Sequence, residues 1–482
     1  DEYLNSPKLI KPDTDRILSF SREVIFQTFY LSYAYRITKE KRYLVKGEEI
    51  LNTISDFDDW HDYTLDTAGL CFAAAIGYDW LFDDLKSTTK QKVREAIVNF
   101  ALKREKYKGF WEQTSNWNQV GIGGLGFGAI AILGDGTSQM DDEASFYLDN
   151  ILVKNPKSMN TYANGNYQEG AMYWSYGTTY EVMLLSTLEG IYGENHEGIG
   201  RLTNSPGFLE SAEFMQYLTS PTSLYFNYMD STEKRTPLPA KFWMAKKMNN
   251  PSVLIEEMKL LTNGSYFNTN VLETRFLPIT LVYAKDISLD NLSEPQSKLW
   301  KGYGNQPLTL VRTEWKGSTG KYFGIKAGTP TYSHGQMDGG TFVFDSQGMR
   351  WATDFGKFDY AASNNYVATL NPPGSVADFS QNSARWDIFR VNNISHNTIS
   401  IKKTTESDWQ YHKADGFATM DEVYDTDAKR GAKLNLKSII GLNNELEEIY
   451  RSAYLVDDTY LEIKDEIKTS NDAIDFYWNM AT

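Results

Sequence analysis

The feature that most constrains this chain is a single change of period. Over roughly the first 290 of 482 residues, apolar side chains recur at three- and four-residue spacing. The stretch from Arg22 to Tyr35, Tyr63 to Phe82 and Thr88 to Lys103 all read as helices, as do Tyr173–Tyr192, Gly207–Leu218 and Val271–Tyr283. Val120 to Leu133 is also helical in pattern but rich in glycine, which in a buried helix permits close backbone approach. Beyond a polar segment, Ile287 to Lys301, the pattern becomes short alternating runs: Leu308–Thr313, Tyr322–Ala327, Thr341–Phe344, Thr398–Ile401 and Tyr460–Lys464. Short loops between helices predict an N-terminal α/α toroid, an incomplete barrel of helix pairs, over 1–290. The alternating runs predict an antiparallel β-sandwich over 291–482, with a strand so near its end that the sandwich reads as truncated.

Charge narrows the function classes. The net charge of −15 lacks the basic excess of a nucleic-acid binder, and no apolar run reaches the ~20 residues that cross a bilayer. A locally positive cleft is still compatible with an acidic protein. Its candidate charges are Arg235, Lys241, Lys246, Lys247, Lys326, Arg385, Arg390, Lys402 and Lys403. The 14% aromatic content suits sugar binding, because sugar rings offer apolar C–H faces to aromatic rings, though large cores use aromatics too. Cys71, the single cysteine, lies in an apolar run and excludes an internal disulfide. The N-terminal residues lack a signal peptide, which fits either a trimmed secreted or periplasmic protein or none. Oligomeric state is not legible.

Five histidines are present, and His334 sits among glycines before an apolar run, within Tyr332-Ser-His334-Gly-Gln336-Met-Asp338-Gly-Gly340 and the following Gly348-Met-Arg350-Trp351-Ala-Thr-Asp354-Phe-Gly356. These residues predict a hairpin with an accessible histidine at its mouth, where few bulky neighbours can bury it. Three further motifs are Asn116-Trp117-Asn118-Gln119, Tyr167-Gln-Glu169-Gly170-Ala-Met-Tyr173-Trp174-Ser-Tyr176-Gly177 and Ser395-His396-Asn397-Thr398. On a regular helix Tyr173, Tyr176 and Tyr180 share one face, a stripe more often core than catalytic.

In order and content these four motifs resemble those of the heparinase II/III-like polysaccharide lyases. The resemblance implies a toroid-plus-sandwich protein that cleaves an anionic, uronic-acid-containing polysaccharide by β-elimination, leaving a C4–C5 unsaturated uronate. It implies Asn116, Tyr173 and His334 as catalytic residues, with Asn118 and Tyr176 as alternatives. Trp117, Glu169, Arg385 and Arg390 are the expected substrate-side residues, with Glu169 in an orienting role. No cofactor is needed for the chemistry. Relatives hold zinc through a histidine, an aspartate and a histidine; here Gln336, Asp354 and His396 stand in those places, as a structural zinc site or as a metal-free hydrogen-bonded network. Two other classes remain open. A glycoside hydrolase would need two of Asp66, Asp79, Glu169 and Asp230 flanking a bond, and a non-catalytic glycan binder would need neither acid nor base.

Overall fold

The computed structural model describes residues 2–14, 16–103, 109–264, 274–290, 292–441, 445–470 and 473–482. The expected start of one helix at Val271 lies outside these residues; its described part is Leu277–Ala284.

Helices dominate as far as Ala284. The longest are α1 (Leu18–Thr38), α2 (Lys41–Ser55), α3 (Thr64–Leu81), α4 (Ser87–Ala96), α5 (Asn116–Ile132), α6 (Ser138–Lys154) and α7 (Thr179–Tyr192). Short connections fold successive helices back on one another: α1 packs on α2 and α3, and α5 on α3 and α6. Helix α3 is buried almost throughout, from Leu65 to Tyr78. The glycines of α5 explain its contact with α3. A Cβ on Gly124 would collide with the Ala68 backbone, and one on Gly128 with Cys71 Sγ. Cys71 is itself fully buried, and its burial disfavours the thiolate.

The strands form a five-stranded antiparallel sheet in the order β1 to β5 (Leu299–Gly302, Leu308–Arg312, Tyr322–Lys326, Phe342–Ser346, Met349–Ala352). Facing it is a sheet of β7 to β10 (Thr419–Asp425, Lys429–Asn435, Leu446–Val456, Tyr460–Thr469), and β6 (Ile399–Lys403) pairs with β11 (Ile474–Trp478). Val311, Phe323, Ile325 and Phe342 share one core with Leu434, Ile449 and Leu455, as in a sandwich. The protein is therefore multidomain α and β, helices followed by an antiparallel sandwich. One helix within the β region, Tyr360–Ala368, has no counterpart in the alternating pattern; Asp359 caps it by accepting from Ala362 N.

The two halves are joined by buried polar contacts. Asn166 donates to the carbonyls of Tyr303 and Gln306, Tyr322 donates to Leu218 O, and Arg312 pairs with Glu256 at 3.0 Å. Four expected cleft charges are spent elsewhere. Arg235 is buried against Glu257 at 2.6 Å, Lys241 donates to Gln216 within the same core, Lys326 is buried against Asp338 at 2.6 Å, and Lys247 pairs with Glu189 and Glu194. Buried cations need such partners, so composition alone overcounted the charge free for a ligand.

Candidate active site

A cavity of about 720 Å³ opens where the helices meet the β region, lined among others by Asn116, Trp117, Tyr173, Tyr176, His334, Tyr360 and Arg385. Among the described residues no helix is long and apolar enough to cross a membrane.

His334 reaches the cavity from the segment before β4. Its backbone φ of +64° is left-handed, a conformation that costs a non-glycine residue energy and that clusters at functional sites. The ring is not the exposed loop histidine the sequence predicts. It lies flat on Tyr173, with ring centroids 3.5 Å apart and planes 9° apart, and its side chain is only 15% exposed. Nδ1 lies 3.0 Å from the Tyr360 hydroxyl, and Nε2 lies 3.3 Å from Asn116 Nδ2 and 3.4 Å from Glu169 Oε2.

The hydrogen-bond network assigns the tautomer. Tyr360 donates its hydroxyl proton to Asp230, so its oxygen accepts from His334 Nδ1–H. That leaves the Nε2 lone pair free of a proton and facing Asn116. Asn116 is held in turn by Glu169, which accepts from its backbone N at 2.9 Å and from its Nδ2 at 2.5 Å. The second Nδ2 hydrogen points at His334. Glu169 is fully buried behind Asn116, and burial pushes its carboxyl above the usual glutamate range despite His334 and the Asn116 bonds. Burial also holds the Tyr173 hydroxyl well above the usual tyrosine range, reinforced by Tyr360 and Asp230 nearby. Tyr173 therefore keeps its proton at neutral pH in the free protein.

A regular helix does not run from Tyr173 to Tyr192. A π turn over Trp174–Thr178 intervenes, a feature common at functional sites. Tyr173 and Tyr176 face the cavity, whereas Tyr180 packs edge-on against Phe72 and Phe276 in the core.

The remaining expected residues divide. Trp117 lines the cavity and meets Tyr63 edge to face at 5.0 Å. Arg385 lines it too, its guanidinium fixed by the carbonyls of Val376 and Gly335. Asn118 is turned away, donating to Phe110 O and Trp111 O. Arg390 is also outside, holding Phe355 O and Lys357 O at the surface. Asp230 and Tyr360 were not assigned to the lyase site from sequence; Tyr360 belongs to the unforeseen helix, and Asp230 had no motif beyond being a carboxylate. Glu169 and Asp230 lie on opposite sides of His334, with Asp230 Oδ2 3.5 Å from Nδ1.

Gln336, Asp354 and His396 are each tied into hydrogen bonds of the protein. Asp354 accepts from His396 Nδ1 at 2.8 Å, from Thr341 and from Gly356 N, while Gln336 Nε2 donates to Asp230 and to Gly356 O. Burial opposes the charge on both Asp354 and His396, yet their mutual attraction lowers the carboxyl and raises the imidazole. His396 Nε2 and Gln336 Oε1 are buried without a hydrogen-bond partner among the described residues, but an amide oxygen is a weak third ligand for zinc. Chelator treatment is therefore expected to leave the melting temperature unchanged, and metal analysis of purified protein should find less than one zinc per chain. Stoichiometric zinc would overturn the ion-pair reading.

Comparison with known proteins agrees with these motifs. Residues 319–482 match the family model described as heparinase II/III-like, C-terminal. The resemblance read from the sequence is borne out. Solved structures similar to the chain include the heparan sulfate lyase HepC from Pedobacter heparinus (TM-score 0.59, 10% identity, 98% of this chain and 66% of that one). A heparinase III is similar at TM-score 0.59 and 11% identity, over 94% of this chain and 64% of that one. A heparinase III with methylated lysines gives 0.57 and 13%, over 94% and 65%. The chain thus spans just under two thirds of these heparinase-type proteins, and at such identities the likeness speaks for the fold. No curated protein sequence matches.

Proposed function

We propose that the protein is a polysaccharide lyase that cleaves a uronic-acid-containing polysaccharide by β-elimination. The observation carrying this reading is the unprotonated Nε2 of His334, facing the Asn116 amide while the imidazole ring lies stacked on Tyr173 at one cavity wall. The C5 proton of a uronate is acidified by its carboxylate only if that charge is neutralised. The Asn116 hydrogen that faces His334 in the free protein is available to the uronate carboxylate, with Glu169 fixing the amide. His334 Nε2 takes the C5 proton, the C–H electrons form the C4–C5 double bond, and the C4–O bond breaks. Tyr173 turns from Tyr360 and gives its proton to the departing oxygen. Proton exchange with water restores His334 and Tyr173.

Neither Glu169 nor Asp230 lines the cavity, and each is occupied by hydrogen bonds on its own side of His334, which weighs against a hydrolase acting through that pair. The similar solved proteins include a heparan sulfate lyase, which favours a glycosaminoglycan among uronate polymers. A polymer of that kind is met outside the cytoplasm, so the reading goes with a secreted or periplasmic location. Incubation with a panel of uronic-acid polymers should yield ultraviolet absorbance from the new double bond on at least one. Cleavage without that absorbance would make the protein a hydrolase, and binding without cleavage a glycan binder.

A further inference from the structure

The cavity holds a second concentration of positive charge that the chemistry above does not use. Arg22 projects from α1 and lies with its guanidinium 4.9 Å from the centre of the Tyr176 ring. Arg275 lies 5.5 Å from the same ring and 4.5 Å from that of Phe276. Both arginines, Tyr176 and Phe276 line the cavity. Two like charges on one aromatic ring repel each other, and the repulsion grows as water is excluded. The cost shows in Arg275, whose guanidinium is lowered to about 10 by burial and by Arg22. Arg22 Nε is buried without a hydrogen-bond partner among the described residues. Asp66 is within electrostatic reach, but its Oδ2 accepts from Ile17 N and faces His61. Glu23, next along α1, accepts from Gln27 instead.

We infer that Arg22 and Arg275, set on Tyr176, form a subsite for an anionic substituent, sulfate or carboxylate, on a sugar adjoining the uronate that reacts at His334. A guanidinium offers paired donors to such a group, and an anion placed between the two arginines offsets their mutual repulsion. The aromatic ring beneath gives the neighbouring sugar an apolar surface. The π turn after Tyr173 is what separates the jobs along one helix: Tyr173 serves His334, and Tyr176 serves the arginines. A cavity of about 720 Å³ is in the range that holds ligands larger than one ring.

The inference rests on the lyase reading for its place on the substrate but is tested separately from it. The probes are a heparan sulfate oligosaccharide and an unsulfated one of equal length, whose only anions are uronate carboxylates. Arg22→Gln is expected to raise KM roughly tenfold or more, with the loss in KM rather than in turnover. A rise on the sulfated chain alone assigns the site to sulfate, and a rise on both assigns it to carboxylate. Arg22→Lys, which keeps charge and stem but not the paired donors, should fall between the two. Unaltered KM on both chains in a variant that melts like the parent overturns the subsite while leaving the lyase standing. Should neither chain be cleaved by the parent, calorimetric binding of the same oligosaccharides decides: weaker binding by Arg22→Gln or Arg275→Gln supports the subsite without the lyase, and equal binding overturns it.

Discussion

Replacing Tyr173 with phenylalanine is expected to lower turnover by a hundredfold or more, the usual worth of a positioned acid, while KM changes little. The ring stays, so the stack on His334 at 3.5 Å survives the change. What is lost is one hydroxyl hydrogen-bonded to Tyr360, a loss of about 1 kcal/mol in stability and a small shift in melting. Tyr176→Phe is the comparison, since that ring lies a π turn away beside Arg22. If Tyr176→Phe abolishes cleavage and Tyr173→Phe does not, the acid has been placed on the wrong tyrosine.

A loss of similar size is expected at His334, and here the structure alters what the sequence alone predicts. Read as a surface loop residue, His334 should change stability by less than about 0.5 kcal/mol when replaced. The ring instead stacks on Tyr173 and bonds to Tyr360, and aromatic contacts of this kind are worth about 0.5–1.5 kcal/mol. His334→Ala also places an alanine at φ +64°, which adds to the cost. The alanine protein should therefore melt several degrees lower. His334→Asn is the better probe, because asparagine tolerates the left-handed backbone and cannot act as the base. Both variants should lose at least a hundredfold in turnover. An asparagine variant that cleaves at near the parental rate would remove His334 from the chemistry.

Much of this was legible before any coordinates. The change of period separates helices from strands because the two structures bury side chains at different intervals, and the glycines of α5 announced a close backbone approach, though not its partner. The motifs brought Asn116, Tyr173 and His334 to one wall. What escaped was whatever depends on distant partners. Lys326 and Arg235 look like free cations until Asp338 and Glu257 are seen beside them. Arg22 and Arg275 look unremarkable, yet folding of the 252 residues between them sets both on one tyrosine ring. Tyr360, on a helix inside the β region, was hidden because a nine-residue helix among strands leaves little periodic signal.

The polar seam between the two halves has a meaning of its own. Asn116 and Tyr173 come from the helices, whereas His334 and Tyr360 come from the β region, and the hydrogen bonds through Asn166, Tyr322 and Arg312 fix one against the other. In the proposed reaction, neither half alone would contain a working set of acid, base and amide. Activity is in that sense a gauge of alignment: a slip at the seam that left every helix and strand intact would silence the protein as fully as the loss of a catalytic side chain.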